Sequence, residues 1–509
     1  LTGRQIRRVA RPAPRPGCFS GTLASRRRVV HDGLIRMPAL RRAIAILLLL
    51  SPVSAGQTTR PPELPPDQLL ALYRAELADR FDESRFDELR AAHRLIERFF
   101  AARSAADRDS AAEAVGKSGF DVVTLGRICR IRLGWPDLLP GAYYVNERIG
   151  PHNVAYFLGV PQGYTRTKAW PMVVRLAPAD PFIGKPPPDQ QQVTRIYRDW
   201  VEAELQQHPD ALLLMPLLNL NTLYGPSYSG TNSVMQPIFH VVERVNVDPA
   251  RVVLIGHSLG AHAAWNLGLH YPTYFAAISP MAGSAKAEFQ RLRLRNLRNT
   301  LPIVWHDAND EVIKPDLSRQ IVRALRGLKI DVDYEETKSL GHRPPAQLVE
   351  KMYAKARNVT RPLYPKEILL QSNRPDAIYN RIDWLQIDMP ARPGDEKRLY
   401  FTLGKEHLVV HDNAWSARAT LARANRFELT TDNVEMFRIY VNDRMIDFER
   451  AVAVVVNNRT RFEGYVKPDL RVMLNDQLFL GRGWRSFTGV IELDLAPPAA
   501  TRAATRPAP

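Results

Sequence analysis

Ser258 stands in Gly-His-Ser-Leu-Gly (Gly256–Gly260), directly after the apolar run Val252–Ile255. A sharp bend from strand to helix puts its central residue near the left-handed region, and side chains two residues before and after it collide unless they are small. Gly256 and Gly260 meet that need, and Ala261 keeps the next position small. Such a bend lifts the serine Oγ above the C-terminal edge of a sheet and aims the first helical amides at the space over it. This is the geometry that displays a nucleophile. A serine hydroxyl is a weak nucleophile without a base, and the base needs an orienting carboxylate.

Candidates for both follow in the chain order serine, acid, histidine that this kind of bend carries with it. The segment "VWHDANDEVI" places Asp307 and Asp310 just after an apolar run, and "SLGHRPP" places His342 in a Gly/Pro loop after the next one. Both fall on the sheet edge where Ser258 emerges. Asp310 is favoured as the acid and Asp307 is held in reserve. His306 is expected to support the acid loop. His257 and His262 lie too close to the serine in sequence to reach Oγ from their own turn; His257 is assigned to the pocket wall. Tyr224, in "YGPSYSGTN", is assigned to substrate binding. The backbone N–H of Leu259 is the expected first oxyanion donor.

These residues need a scaffold. Between about Ala142 and His342 short apolar runs alternate with helical stretches, which means crossover units and a mostly parallel sheet with helices on both faces. "AYYVNER" and "NVAYFLGVP" read as an opening hairpin. Before this region, Leu69, Leu70, Tyr73, Leu77, Phe81 and onward recur at helical spacing, giving a linker and helical module over 56–125. "AVGKSG" within it is a turn, since the glycine a phosphate loop needs at position 111 is Ala. After Pro365, runs rich in Val, Ile, Phe and Tyr follow one another with turns between, "RVMLN" among them, and predict an antiparallel β-sandwich over 361–495. Asn457-Asn458 reads as a hairpin turn. Residues 496–509 read as a disordered tail.

The segments "VDPARVVLIGHSLGAHAAWNLGLHYPTYFAAISPMAG", "VWHDANDEVI" and "LGHRPP" together resemble the α/β-hydrolase superfamily, over about residues 140–350. The likeness is to secreted serine esterases near poly(3-hydroxybutyrate) depolymerases and feruloyl esterases, and to prolyl-oligopeptidase-type catalytic domains. It implies an α/β-hydrolase domain (126–360) with Ser258 as nucleophile, Asp310 as acid (the family pattern His-Gly-x-x-Asp) and His342 as base. The trailing module resembles a β-rich extension of some bacterial members. Two departures stand out. Where the family has His-Gly as an oxyanion segment, this chain has Ala177-Pro178, and proline has no N–H to offer; the second donor is therefore assigned to Ala179. Where the family has Gly, this chain has Asp307.

The resemblance implies a serine hydrolase that cleaves small-molecule or polymer-linked carboxylic esters without a cofactor. A peptidase and a catalytically retired binding protein are the alternatives. The peptidase reading is weakened because about 85 residues before the hydrolase region cannot hold a multi-bladed propeller. No HExxH pattern or Cys/His cluster points to a metal.

"MPALRRAIAILLLLSPVSA" at 37–55 has the basic start, short apolar run and small-residue exit of a secretory signal peptide. Residues 1–36 are then an expected non-native extension, and the destination is the periplasm or medium, with no stable membrane anchor. The formal charge is +17, but residues 1–55 hold eleven basic residues and one acid, and without them it is +7. That excess does not predict a nucleic-acid partner. Beyond residue 55 the chain has Cys129 alone, so no intrachain disulfide is expected.

Overall fold

The computed structural model describes residues 61–149, 152–178, 190–217, 224–285, 287–400 and 407–496. The expected leader at 37–55, the extension before it, Ala179 and the tail from 497 lie outside these residues.

Among the described residues four α-helices come first: α1 (Pro66–Leu77), α2 (Phe86–Ala101), α3 (Ala105–Gly116) and α4 (Val122–Cys129). Ser104 and Asp121 cap α3 and α4, accepting from the Asp107 and Thr124 amides at 3.0 Å each. This satisfies amides that a helix start leaves without partners. Leu69, Tyr73, Leu77, Leu89 and Phe99, at helical spacing in the sequence, bury against one another together with Ile96, Val115 and Ile128, while Leu70 and Phe81 are only partly buried. Cys129 is buried in this cluster, and burial pushes its thiol up to about 12, which keeps it unreactive.

An eight-stranded sheet follows, in the order β1-β2-β4-β3-β5-β6-β7-β8. Its strands are β1 (Gly141–Ile149), β2 (His152–Val160), β3 (Trp170–Leu176), β4 (Leu212–Pro216), β5 (Val247–His257), β6 (Ala277–Met281), β7 (Leu301–Asp307) and β8 (Asp333–Thr337). β1 and β2 form the antiparallel hairpin, β2 pairs antiparallel with β4, and every later neighbour is parallel. β4 and β6 are buried at every position. Continuous rather than alternating apolar sequence is what a strand covered on both faces requires. The covering helices are α5 (Gln190–Gln207), α6 (Tyr228–Arg244), α7 (Leu259–His270), α8 (Pro315–Gly327) and α9 (Ala346–Arg357). α7 leaves directly from the end of β5 and packs over β5, β6 and β3. This is the α/β-hydrolase fold.

The C-terminal part holds two facing sheets around one apolar core that includes Trp384, Trp415, Phe427, Phe437 and Phe487. One sheet runs β18-β17-β15-β14-β9 and the other β10-β11-β16-β19. Their strands are β9 (Glu367–Ser372), β10 (Arg381–Ile382), β11 (Leu385–Pro390), β14 (Trp415–Arg423), β15 (Arg426–Asp432), β16 (Val434–Val441), β17 (Val452–Val456), β18 (Arg459–Gly464) and β19 (Gly489–Asp494), with β12 (Glu396–Tyr400) and β13 (His407–His411) as a separate hairpin. Asn457 and Asn458 take φ of 49° and 64°, the left-handed values that a two-residue hairpin turn demands. Two features differ from expectation. β15 and β17 pair in parallel within an otherwise antiparallel sandwich. "RVMLN" is not a strand but part of helix α10 (Leu470–Leu480). Asp469 caps that helix by accepting from the Arg471 and Val472 amides, and Met473, Leu474, Gln477 and Leu480 bury one stripe at helical spacing.

α10 also joins the parts. Met473 and Leu474 complete the core of the N-terminal helices. Nearby, the buried Arg482 holds Glu97 at 2.7 Å and donates to the carbonyls of Cys129 and Ile131 at 3.0 and 2.9 Å. Asp383 of the sandwich sits between Arg361 and Arg485 at 2.5 and 3.1 Å, all three side chains at most 1% exposed. Its amide donates to the Thr273 hydroxyl of the hydrolase part. Removing one partner of such a buried pair costs about 3–5 kcal/mol, because the other charge is left uncompensated.

Candidate active site

Ser258 has φ 54° and ψ −114°, a conformation that costs a non-glycine residue about 1–3 kcal/mol and persists only where its surroundings impose it. The surroundings here are tight. A Cβ on Gly256 would lie 2.2 Å from the Gly260 carbonyl oxygen, and one on Gly260 would lie 2.3 Å from the Leu176 carbonyl oxygen at the end of β3. The Ser258 amide donates to Met281 O at 2.9 Å, which ties the bend to β6. Alanine in a helix is worth about 1 kcal/mol over glycine, yet at position 260 the backbone clash outweighs it. Gly260→Ala is therefore expected to lower the melting temperature or the folded yield. An unchanged or raised melting temperature would show that the bend tolerates a Cβ.

The side chains beyond β7 and β8 meet this serine. Ser258 Oγ lies 2.9 Å from His342 Nε2, and His342 Nδ1 lies 2.9 Å from Asp310 Oδ2. The carboxylate accepts, so Nδ1 carries the proton and Nε2 is free to accept from the serine hydroxyl. Asp310 also accepts from the Val312 and Ile313 amides through Oδ1, at 2.8 and 2.9 Å. Burial pushes its carboxyl up, but these donors and His342 outweigh burial and hold it below the ordinary range.

Asp307, the reserve candidate, does not meet His342. It accepts from the Thr337 hydroxyl at 2.6 Å and from the Asn309 and Leu340 amides at 2.9 Å each. It thus braces the loop that carries Gly341 (φ 68°) and His342 to the end of β7. Burial raises its pKa, and the hydrogen bonds more than offset this, leaving it at about 2. A depressed carboxylate contributes stability that is present above its ordinary range, near pH 4, and lost as pH falls towards 2. Asp307→Asn is expected to melt earlier than the parent at pH 7, with the gap closing below about pH 3. A gap constant from pH 7 to 2, measured by thermal denaturation, would refute this role.

Two assigned residues are placed otherwise than expected. Tyr224 is 2% exposed. Its hydroxyl donates to Pro216 O at 2.8 Å and meets the Ala177 amide and Tyr197, so it links the ends of β3 and β4 instead of facing a substrate. A buried phenol needs a partner, and backbone at two strand ends provides one. His257 is also buried; its Nε2–H donates to the His342 carbonyl at 2.8 Å, fastening the backbone of His342 to the serine bend. His306 was expected near the acid and lies against it, with Nε2 3.1 Å from Asp310 Oδ2.

The oxyanion side is half described. Leu259 opens α7, where an amide has no acceptor inside the helix. Pro178 has no N–H, and Ala179, the expected second donor, lies outside the described residues. Among the described residues no group of three or more His, Cys, Asp or Glu is arranged to hold a metal ion.

A model of the Esterase family matches residues 232–435, a span that holds Ser258, Asp310 and His342. No curated protein matches the chain. Among solved structures, a thermostable esterase is similar at 20% identity and a TM-score of 0.35, over 43% of this chain and 63% of its own. This chain thus spans less than two thirds of that protein. A ferulic acid esterase is similar at 14% identity and a TM-score of 0.33, over 43% of this chain and 96% of its own. S-formylglutathione hydrolase FrmB from Staphylococcus aureus is similar at 14% identity and a TM-score of 0.33, over 44% of this chain and all of its own. The sheet order and the strained serine bend define an α/β-hydrolase fold, and the Esterase family model matches the part of it that carries Ser258, Asp310 and His342.

Proposed function

We propose that the protein is an exported serine hydrolase that cleaves carboxylic esters through an acyl-enzyme on Ser258. His342 takes the hydroxyl proton as Oγ attacks the ester carbonyl. Asp310 holds the imidazole in the Nδ1–H tautomer and stabilises its positive charge. The Leu259 amide and a donor from the Ala179 segment hold the oxyanion. The alcohol leaves with the proton from His342, and water, activated by the same imidazole, releases the acid. The observation that supports this most is the unbroken hydrogen-bonded chain from Ser258 Oγ through His342 to Asp310, 2.9 Å at each step, on a bend that leaves the serine partly buried rather than enclosed. Export rests on the sequence at 37–55. The substrate is a small-molecule or polymer-linked ester, with no nucleic-acid partner and no cofactor.

One observation favours a second reading. Ala177-Pro178 stands where the resemblance implies His-Gly, and Pro178 has no amide to offer an oxyanion; losing one such donor slows turnover about 100- to 1000-fold. A hydrolase fold retired to a binding role would tolerate that. A panel of p-nitrophenyl esters, feruloylated and acetylated xylan, and proline-containing peptides separates the readings. Ester turnover with a burst of released alcohol is expected. Cleavage of peptides alone would favour a peptidase, and no turnover at all would favour the binding protein.

A further inference from the structure

We infer that His306 is a positioning residue for this chemistry: it shares one oxygen of Asp310 with His342 and so sets how firmly that carboxylate holds the imidazole. The inference rests on the triad reading above. His306 and His342 both bond Asp310 Oδ2, at 3.1 and 2.9 Å. His306 Nε2 also lies 2.9 Å from Ile313 O. Both neighbours of that nitrogen are acceptors, so Nε2 carries a proton and donates. Its other nitrogen, Nδ1, lies 2.7 Å from Ser318 Oγ on α8, and that hydroxyl has a second acceptor, Gly283 O, at 3.2 Å. The side chains of His306 and Asp310 are 0% exposed, and Ser318 is fully buried. A single buried line of hydrogen bonds therefore runs from Ser318 through His306, Asp310 and His342 to Ser258.

Asp310 in this arrangement receives four donors: two amides on Oδ1 and two imidazoles on Oδ2. Each donor draws charge from the carboxylate. Without His306, the remaining charge on Oδ2 falls on His342 alone and holds its proton more tightly. The charged and titratable groups around this line are His342 and His257 on the base side, Asp307 at the end of β7, and Glu336 of β8, which pairs with Arg319 of α8 at 2.8 Å. The Glu336 carboxyl is held down to about 2, first by Arg319 and then by the Tyr334 hydroxyl, against burial, which raises it. Of these groups, His342 donates to Oδ2 of Asp310.

The test compares His306→Phe with His306→Gln, whose amide N–H reaches the place of imidazole Nε2. His306→Phe is expected to lose about 10- to 100-fold in kcat, the scale of one buried hydrogen bond to a charged group, with KM nearly unchanged. The acid limb of its kcat/KM profile moves up by about half a pH unit, because the His342 imidazolium is stabilised. His306→Gln stays within about threefold of the parent with its limb in place. If the Phe variant does not fold, Ser318→Ala, which frees His306 Nδ1, is expected to move the limb in the same direction by less. An unmoved limb and parental kcat in the Phe variant would overturn the inference. So would equal losses in Phe and Gln with the limb unmoved, which a packing role alone would produce, or an unmoved limb in Ser318→Ala. Ser258→Ala in the same assay keeps the two readings apart. If it stays active, the triad reading fails. If it is dead while the Phe variant has a parental profile, only the role of His306 fails.

Discussion

Ser258→Ala is expected to lower ester turnover by about a million-fold, if serine, imidazole and carboxylate act as one unit. The size follows from the chemistry. Without Oγ no acyl-enzyme forms, and what survives is water attacking an ester held beside the Leu259 amide. Stability should change little, since alanine keeps the Cβ at φ 54° and loses only the hydroxyl's bond to His342. A variant with its parental melting temperature and no turnover therefore separates chemistry from folding. Turnover within tenfold of the parent would mean that the reaction, if there is one, runs elsewhere.

Asp310→Asn is the second large effect, with an expected loss of about 10⁴-fold in kcat. The carboxylate accepts from two amides and two imidazoles. An amide side chain must turn its NH2 towards one pair of these donors. Turned to Oδ2's partners, it forces His342 to accept at Nδ1, which puts the proton on Nε2 and removes the base. Turned to the amides of Val312 and Ile313, it opposes two N–H groups and disrupts the loop. Asp307→Asn, measured alongside, is expected to lose less than about tenfold at neutral pH, because Asp307 acts through the backbone of the 338–342 loop. Equal losses in the two variants would leave the choice between the carboxylates without a chemical basis.

Much of the scaffold was legible because burial on both faces leaves continuous apolar runs such as "RVVLIG" and "ALLLMP", and because a bend as tight as Gly256–Gly260 admits few sequences. The choice of acid was less legible. Asp307 and Asp310 stand three residues apart on one turn, and only the path of that turn decides which carboxylate faces the imidazole. Tyr224 and His257 misled for a related reason: aromatic and imidazole groups near a serine suggest a pocket wall, but each is buried with a backbone carbonyl as its partner. "RVMLN" suggested a strand because five residues are too few to separate the two periods; the cap at Asp469 and the apolar stripe reaching Leu480 carry the helical signal. The shared oxygen of Asp310 had no spacing to announce it, since it depends on how the 307–313 loop folds back on His306.

Every step of the proposed reaction requires an activated Ser258 hydroxyl. A fluorophosphonate probe followed by mass mapping of the labelled peptide measures this directly. One adduct is expected, on Ser258, absent in Ser258→Ala and strongly slowed in His342→Ala. An unlabelled folded protein, or an adduct on another residue with Ser258 untouched, would contradict it.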